Sequence, residues 1–230
     1  MLWIALLAVG PGLIQYPAAS GPKTIVIDPG HGGRDTGAAG PTGTQEKTIC
    51  LSLAKLLAQN LTPAYNVVLT RSDDYSLNNL QRTAMANHEK ADLFISLHTG
   101  AAFIRTASGM AVYTYQPAAK DEEDRRPAAD NRPSSWQQLQ LAHMVQSRAL
   151  AEALRHALAT LDRAGAFQVQ QGPLAVLVGA DMPAVLLEIG QLSNPETEKT
   201  LNSNDQLRAY ARAIHGAIDG YFSSRPQIEP

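Results

Sequence analysis

Four residues stand where hydrolytic chemistry could be done: His31, Glu46, His98 and Glu188. His31 follows the apolar run Thr24–Asp28 (TIVID) through Pro29 and Gly30. His98 directly follows Leu93–Leu97 (LFISL), and Glu188 closes Ala184–Glu188 (AVLLE). If these runs are parallel strands, their ends meet at the carboxyl edge of one sheet, where open α/β folds bind ligands. Glu46 opens a helix after a loop containing Gly30, Gly32, Gly33, Gly37, Gly40 and Gly43, a loop able to turn back over that edge. Two histidines and one carboxylate make the open set used by catalytic zinc, three protein ligands with a fourth position for water. Zinc lowers the pKa of such a water to about 7, and a nearby carboxylate can carry its proton to a departing amine. Glu188 suits that carrier, because desolvation at an apolar strand end keeps a carboxylate's pKa up.

Composition removes competing chemistries. The 230 residues carry a formal charge of −2, with 44% hydrophobic and 17% charged positions, which describes a globular chain without the basic footprint of a nucleic-acid binder. The single cysteine, Cys50, excludes an internal disulfide and a Cys-rich zinc site, and reads as a buried small hydrophobe. The glycine-rich loop has neither GxGxxG spacing nor a following Lys-Ser/Thr, so it is no phosphate cradle, and no organic cofactor site is expected. His88, His143, His156 and His215 lie on helical stretches among polar or small neighbours and read as surface or boundary residues.

The elements that must position the four residues follow from hydrophobic patterning. Strands are predicted at Thr24–Asp28, Asn66–Thr70, Leu93–Leu97, Ala111–Tyr115, Leu174–Val178 and Ala184–Glu188, most of them apolar on both faces, as in parallel sheets covered by helices. Helices are predicted at Glu46–Leu61, at Leu77–Lys90 with a stripe of Leu80, Ala84 and Asn87, and at Trp136–Leu161 with Leu141, Met144, Val145, Leu154, Leu158 and Leu161. The last, Asp205–Phe222, carries Leu207, Tyr210, Ala211, Ile214 and Ile218 at a 3.6-residue period after an Asn204 N-cap, and Asn194-Pro195-Glu196 reads as a further helix start. The result is an α/β single domain: a twisted, mostly parallel six-stranded sheet with helices on both faces.

Three stretches fall outside it. Residues 1–20 read as a signal or leader segment, with Ala18, Ala19 and Ser20 near a cleavage point but no basic residue before Lys23. Residues 117–135, with Pro117, Pro127, Pro133 and the charged run Asp121–Arg126, are too polar to order themselves and read as a surface insertion. Residues 223–230 form a tail.

The motifs together resemble one family. IVIDPGHGG at Ile25–Gly33, Glu46-Lys47 opening a helix, and VVLTRSDD at Val67–Asp74 occur in that order. Arg82 and Ala86-Asn87 on a helix, ADLFISLH at Ala91–His98 and PAVLLEIGQLSNPETE at Pro183–Glu198 follow. Over about Lys23 to Phe222 the chain resembles the zinc-dependent N-acetylmuramoyl-L-alanine amidases of bacterial cell walls. The resemblance implies His31, Glu46 and His98 as zinc ligands and Glu188 as the catalytic carboxylate. It implies a catalytic domain over residues 23–222 that cleaves the amide between N-acetylmuramic acid and L-alanine in peptidoglycan. Two positions depart from the family pattern: Thr99-Gly100-Ala101 replaces a small residue, Asn and Ala after His98, and Gln191 replaces an aromatic after Gly190.

The reading that follows is a monomeric hydrolase of the periplasm or extracellular envelope, acting on peptidoglycan with Zn2+ and no nucleic acid. Need for a protein activator is left open. Two other readings share the residues: a silent peptidoglycan-binding or regulatory relative, suggested by Gly100 and Gln191, and a zinc exopeptidase on free peptides.

Overall fold

The computed structural model describes residues 21–118, 136–161 and 167–224. The predicted leader at 1–20, residues 119–135 of the predicted insertion and residues 225–230 of the tail lie outside the described residues. Six strands form one sheet in the order β2-β1-β3-β6-β4-β5. They are β1 (Thr24–Pro29), β2 (Asn66–Leu69), β3 (Leu93–Gly100), β4 (Ala111–Tyr115), β5 (Gln168–Gly172) and β6 (Ala184–Gln191). All ladders are parallel except β4 against β6. The helices are α1 (Glu46–Leu61), α2 (Asn79–His88), α3 (Met144–Leu158), α4 (Pro195–Leu201) and α5 (Asn204–Ser223).

Strand β1 is flanked by β2 on one side and β3 on the other, so the chain reverses its direction of travel across the sheet between them. A crevice opens at the carboxyl ends of strands at such a reversal. Helices α1, α3 and α5 cover one face: α1 lies on β1 and β3, α3 on β4 and β6, and α5 on α1 and α3, with Leu53, Leu57, Leu150, Leu154, Ile214 and Ile218 fully buried in their common core. On the other face Ala86 of α2 and Val176 and Leu177 pack on Val26, Phe94 and Leu186. Both faces are thus covered, which is why β1, β3 and β6 read as continuous apolar runs. Leu154 of α3 lies in the helix-covered core with no exposed surface, and Leu154→Ala is expected to cost about 2–5 kcal/mol, measured by urea denaturation.

Several boundaries differ from the sequence prediction. Leu174–Val178 is not a strand: Ala175–Leu177 forms a 3-10 turn whose Val176 and Leu177 plug the second core. The sixth strand is instead β5, QVQQG, three of whose five positions are exposed at the sheet edge; polar edge strands carry little apolar signal. The long third helix begins as a 3-10 stretch over Trp136–His143, and its Val145 is 79% exposed, while Ser147, Leu150 and Ala151 face inward. On α2 the buried face is Arg82, Thr83 and Ala86 rather than Leu80, Ala84 and Asn87, because that face serves a buried ion pair. Its start is fixed by an Asn78–Gln81 capping box. Ser203, not Asn204, caps α5, accepting from the Gln206 N–H, whereas Asn194 caps α4 with Pro195 in the first turn, as predicted. Among the described residues no helix is long and apolar enough to cross a membrane.

Candidate metal centre

The four predicted residues meet at the carboxyl end of the sheet. His31 follows β1 after Gly30, Glu46 is the first residue of α1, His98 lies in β3 and Glu188 in β6, directly opposite His98 in the parallel ladder. Neither His98 nor Glu188 is quite at a strand end, contrary to the sequence reading. Both strands run two or three residues further because Gly100 and Gln191 continue the ladder.

Glu46 is the hub. Its Oε2 lies 3.1 Å from His31 Nε2 and its Oε1 2.9 Å from His98 Nδ1. Each oxygen also accepts a backbone N–H, Oε2 from Ala38 at 2.8 Å and Oε1 from Thr99 at 2.9 Å. Burial works to raise the Glu46 pKa, but the hydrogen bonds from His31 and His98, the His98 charge and the Ala38 N–H outweigh it and hold the carboxyl well below the usual range. One donor atom from each of His31, Glu46 and His98 lies within 4.8 Å of the others. Among the described residues no other group of His, Cys, Asp or Glu converges in this way.

These residues fit a divalent cation. Two imidazole nitrogens and an anionic carboxylate oxygen face one small space, kept open by glycine on both sides. A methyl group on Gly37 would stand 2.5 Å from both Glu46 Oε2 and His31 Cδ2, and one on Gly30 would overlap the His98 ring. The second nitrogen of His31, Nδ1, lies 2.9 Å from Asp35 Oδ2, the carboxylate–histidine pairing that fixes the tautomer of a metal-binding imidazole. Asp35 was not singled out by sequence; its position four residues after His31 was the available signal.

The loop carrying His31 is forced into shape from below. His31 takes a left-handed backbone, φ 59°, which a non-glycine residue keeps only when its surroundings hold it. Arg82 donates to the carbonyls of Pro29 and His31, each at 2.8 Å, and to Asp28 Oδ1 at 2.7 Å. Asp28 also accepts from the hydroxyls of Thr70 and Ser96. Fully buried Arg71 donates to Pro29 O (2.9 Å), Gly30 O (2.7 Å) and Lys47 O (2.9 Å), tying the exit of β1 to the first turn of α1 and so His31 to Glu46. Glu198 of α4 pins the rest of the loop, accepting from Thr42 N–H, Thr42 Oγ1 and Thr44 N–H. The motif letters show these residues but not what they grip, which depends on carbonyls brought together only by folding.

Glu188 is half-buried, and burial pushes its carboxyl above the ordinary value, with repulsion from Glu46 adding while the His98 charge and a hydrogen bond oppose. That bond is from the Tyr113 hydroxyl of β4, 3.4 Å from Oε2. Of the other histidines, His88 and His156 are exposed, His143 pairs with Asp181 and His215 with Asp219, and none approaches the cluster. Cys50 is buried, as expected.

An α/β domain with a His–Glu–His donor set and a separate half-buried carboxylate at its sheet edge defines the class of protein. The chain belongs to the N-acetylmuramoyl-L-alanine amidase family, whose model matches residues 25–220. It is 30% identical to the N-acetylmuramoyl-L-alanine amidase AmiC of Escherichia coli O6:H1 over 90% of this chain and 57% of that one. It is 33% identical to AmiC of Neisseria meningitidis serogroup B over 87% of this chain and 53% of that one. The chain thus spans little more than half the length of these two relatives. Among solved structures it resembles the catalytic domain of CwlV, an N-acetylmuramoyl-L-alanine amidase from Bacillus (Paenibacillus) polymyxa var. colistinus. The TM-score is 0.71 and the identity 30%, over 88% of this chain and 99% of that domain. The mostly parallel six-stranded α/β fold read from the sequence is that of these catalytic domains.

Proposed function

We propose that this protein hydrolyses the amide between N-acetylmuramic acid and L-alanine in peptidoglycan, within a catalytic domain over residues 23–222. His31, Glu46 and His98 hold a zinc ion, and Glu188 is the general base and acid. The observation that carries this reading is the convergence of three donor residues, one of which, His98, is the ladder partner of a half-buried carboxylate outside the group. Bound zinc would act as a Lewis acid and lower the pKa of water. Glu188 accepts the proton of the attacking water and returns it to the departing amine of L-alanine, a transfer that suits a carboxyl raised by burial. Tyr113 steadies Glu188 through its hydroxyl. Asp35 holds the His31 ring so that Nε2 points into the cluster. Peptidoglycan lies in the cell envelope, so the protein acts outside the cytoplasmic membrane.

Incubation with intact sacculi and, separately, with free stem peptide tests the reading. Release of stem peptides with a free L-alanine amino terminus from sacculi, identified by mass spectrometry, is the expected result. Cleavage confined to free peptide favours an exopeptidase, and binding without release favours a silent relative. Purified protein should hold about one zinc per chain, and chelation should abolish hydrolysis until zinc is restored. Asp35→Ala is expected to weaken zinc affinity about 10- to 100-fold in a competition titration, while the metal-free chain melts as the wild type does.

A further inference from the structure

The two departures from the family pattern, Gly100 and Gln191, touch each other. A methyl group built on Gly100 would overlap the Gln191 carboxamide, standing 2.6 Å from both Cδ and Oε1. The β3–β6 register explains the meeting. His98 pairs with Glu188, then Gly100 with Gln191, so two steps along β3 are matched by three along β6. In an unbroken ladder Gln191 and Glu188 would point to opposite faces. The irregularity at Gly190, φ 136°, returns Gln191 to the face shared by His98, Gly100 and Glu188. Gly100 itself has no left-handed backbone, so what its missing side chain provides is room.

Gln191 is held firmly and its side chain is unspent. Its carbonyl accepts from Asn194 N–H at 3.0 Å, and the next residue, Leu192, donates to Gly100 O at 2.7 Å. The carboxamide is half-buried and has no hydrogen-bond partner among the described residues. An unpaired amide group on a pinned backbone, one ladder pair beyond the proposed proton carrier, offers both N–H donors and a carbonyl acceptor.

We propose that Gln191 is a specificity-determining residue: its carboxamide, seated over Gly100, pairs with a secondary amide of the substrate next to the bond that is cut. The partner is either the acetamido group of the sugar or the first peptide bond of the stem, which present the same chemistry. This rests on the amidase reading. Gln191→Leu preserves bulk and removes the polar atoms. The KM for a soluble muropeptide should rise about 5- to 10-fold, the worth of one neutral hydrogen bond, with kcat within about twofold and zinc content unchanged. Gly100→Ala, which dislodges the carboxamide, should show the same rise, and the double variant no more than either single one.

Two truncated substrates identify the partner. If it is the acetamido group, the wild type loses the same factor on a de-N-acetylated muropeptide and Gln191→Leu loses nothing further. If it is the stem, that pattern appears on a substrate ending at L-alanine. An unchanged KM for Gln191→Leu with an active wild type overturns this inference alone, as does full additivity with Gly100→Ala. A wild type inert on the muropeptide overturns the amidase reading and takes this inference with it.

Discussion

Glu188→Gln lowers the release of stem peptides from sacculi by about 10²- to 10⁴-fold, the range general acid–base catalysis supplies, and leaves zinc content and melting temperature at wild-type values. The substitution keeps the shape of the side chain and an oxygen to accept from Tyr113, so the β4–β6 pairing has no reason to move. It removes only the proposed ability to take a proton from water and hand it to the amine. His31, Glu46 and His98 keep their mutual contacts, because Glu188 makes none of the hydrogen bonds that assemble them. The measurement is single-turnover hydrolysis of a purified muropeptide beside metal analysis of the same sample. A Glu188→Gln protein that works at the full rate assigns the proton transfer elsewhere. One that also loses zinc shows Glu188 to be a ligand.

Arg82→Leu has the largest expected effect on stability, about 3–5 kcal/mol, because it leaves the Asp28 carboxylate charged and unpaired in the core. The two side chains are 4% and 0% exposed, and the remaining partners of Asp28 are two neutral hydroxyls. For a domain of this size that loss lowers the melting temperature by roughly 10 °C. Pairing Arg82→Leu with Asp28→Asn should recover part of the deficit, since the stranded charge goes with the second change. Metal affinity should not recover with it. The carbonyl of His31 loses the Arg82 donor in both variants, and its left-handed backbone then relies on its other contacts. Thermal melts of the metal-free chain and zinc titration of each variant separate the two consequences.

How much was legible beforehand varied with how each residue earns its place. β1, β3 and β6 were plain in the sequence because strands covered on both faces must be apolar throughout. β5 was not, since an edge strand with solvent on one side carries Gln168, Gln170 and Gln171 without penalty. The neighbouring run Leu174–Val178 drew the strand assignment because short apolar runs look alike whether they pair in a sheet or plug a core. On α2 the buried arginine defeated a reading by hydrophobic period, which has no way to expect an inward-facing charge until its partner on β1 is in view.

The sequence by itself determined the class of fold, singled out two histidines and two glutamates as the candidate site, and argued against thiolate and phosphate-binding chemistry. These follow from residue type and local order, which need no knowledge of distant partners. Only the tertiary structure showed how the two glutamates are held, with Glu46 bridging His31 and His98 through both carboxylate oxygens while Glu188 faces Tyr113. It alone brought in Asp35, Arg71 and Glu198 as supports, and turned Gln191 onto the face of His98. The physical reason is the same in each case: such roles are set by hydrogen bonds to backbone groups and by strand register, and neither exists until segments far apart in the chain have been brought side by side.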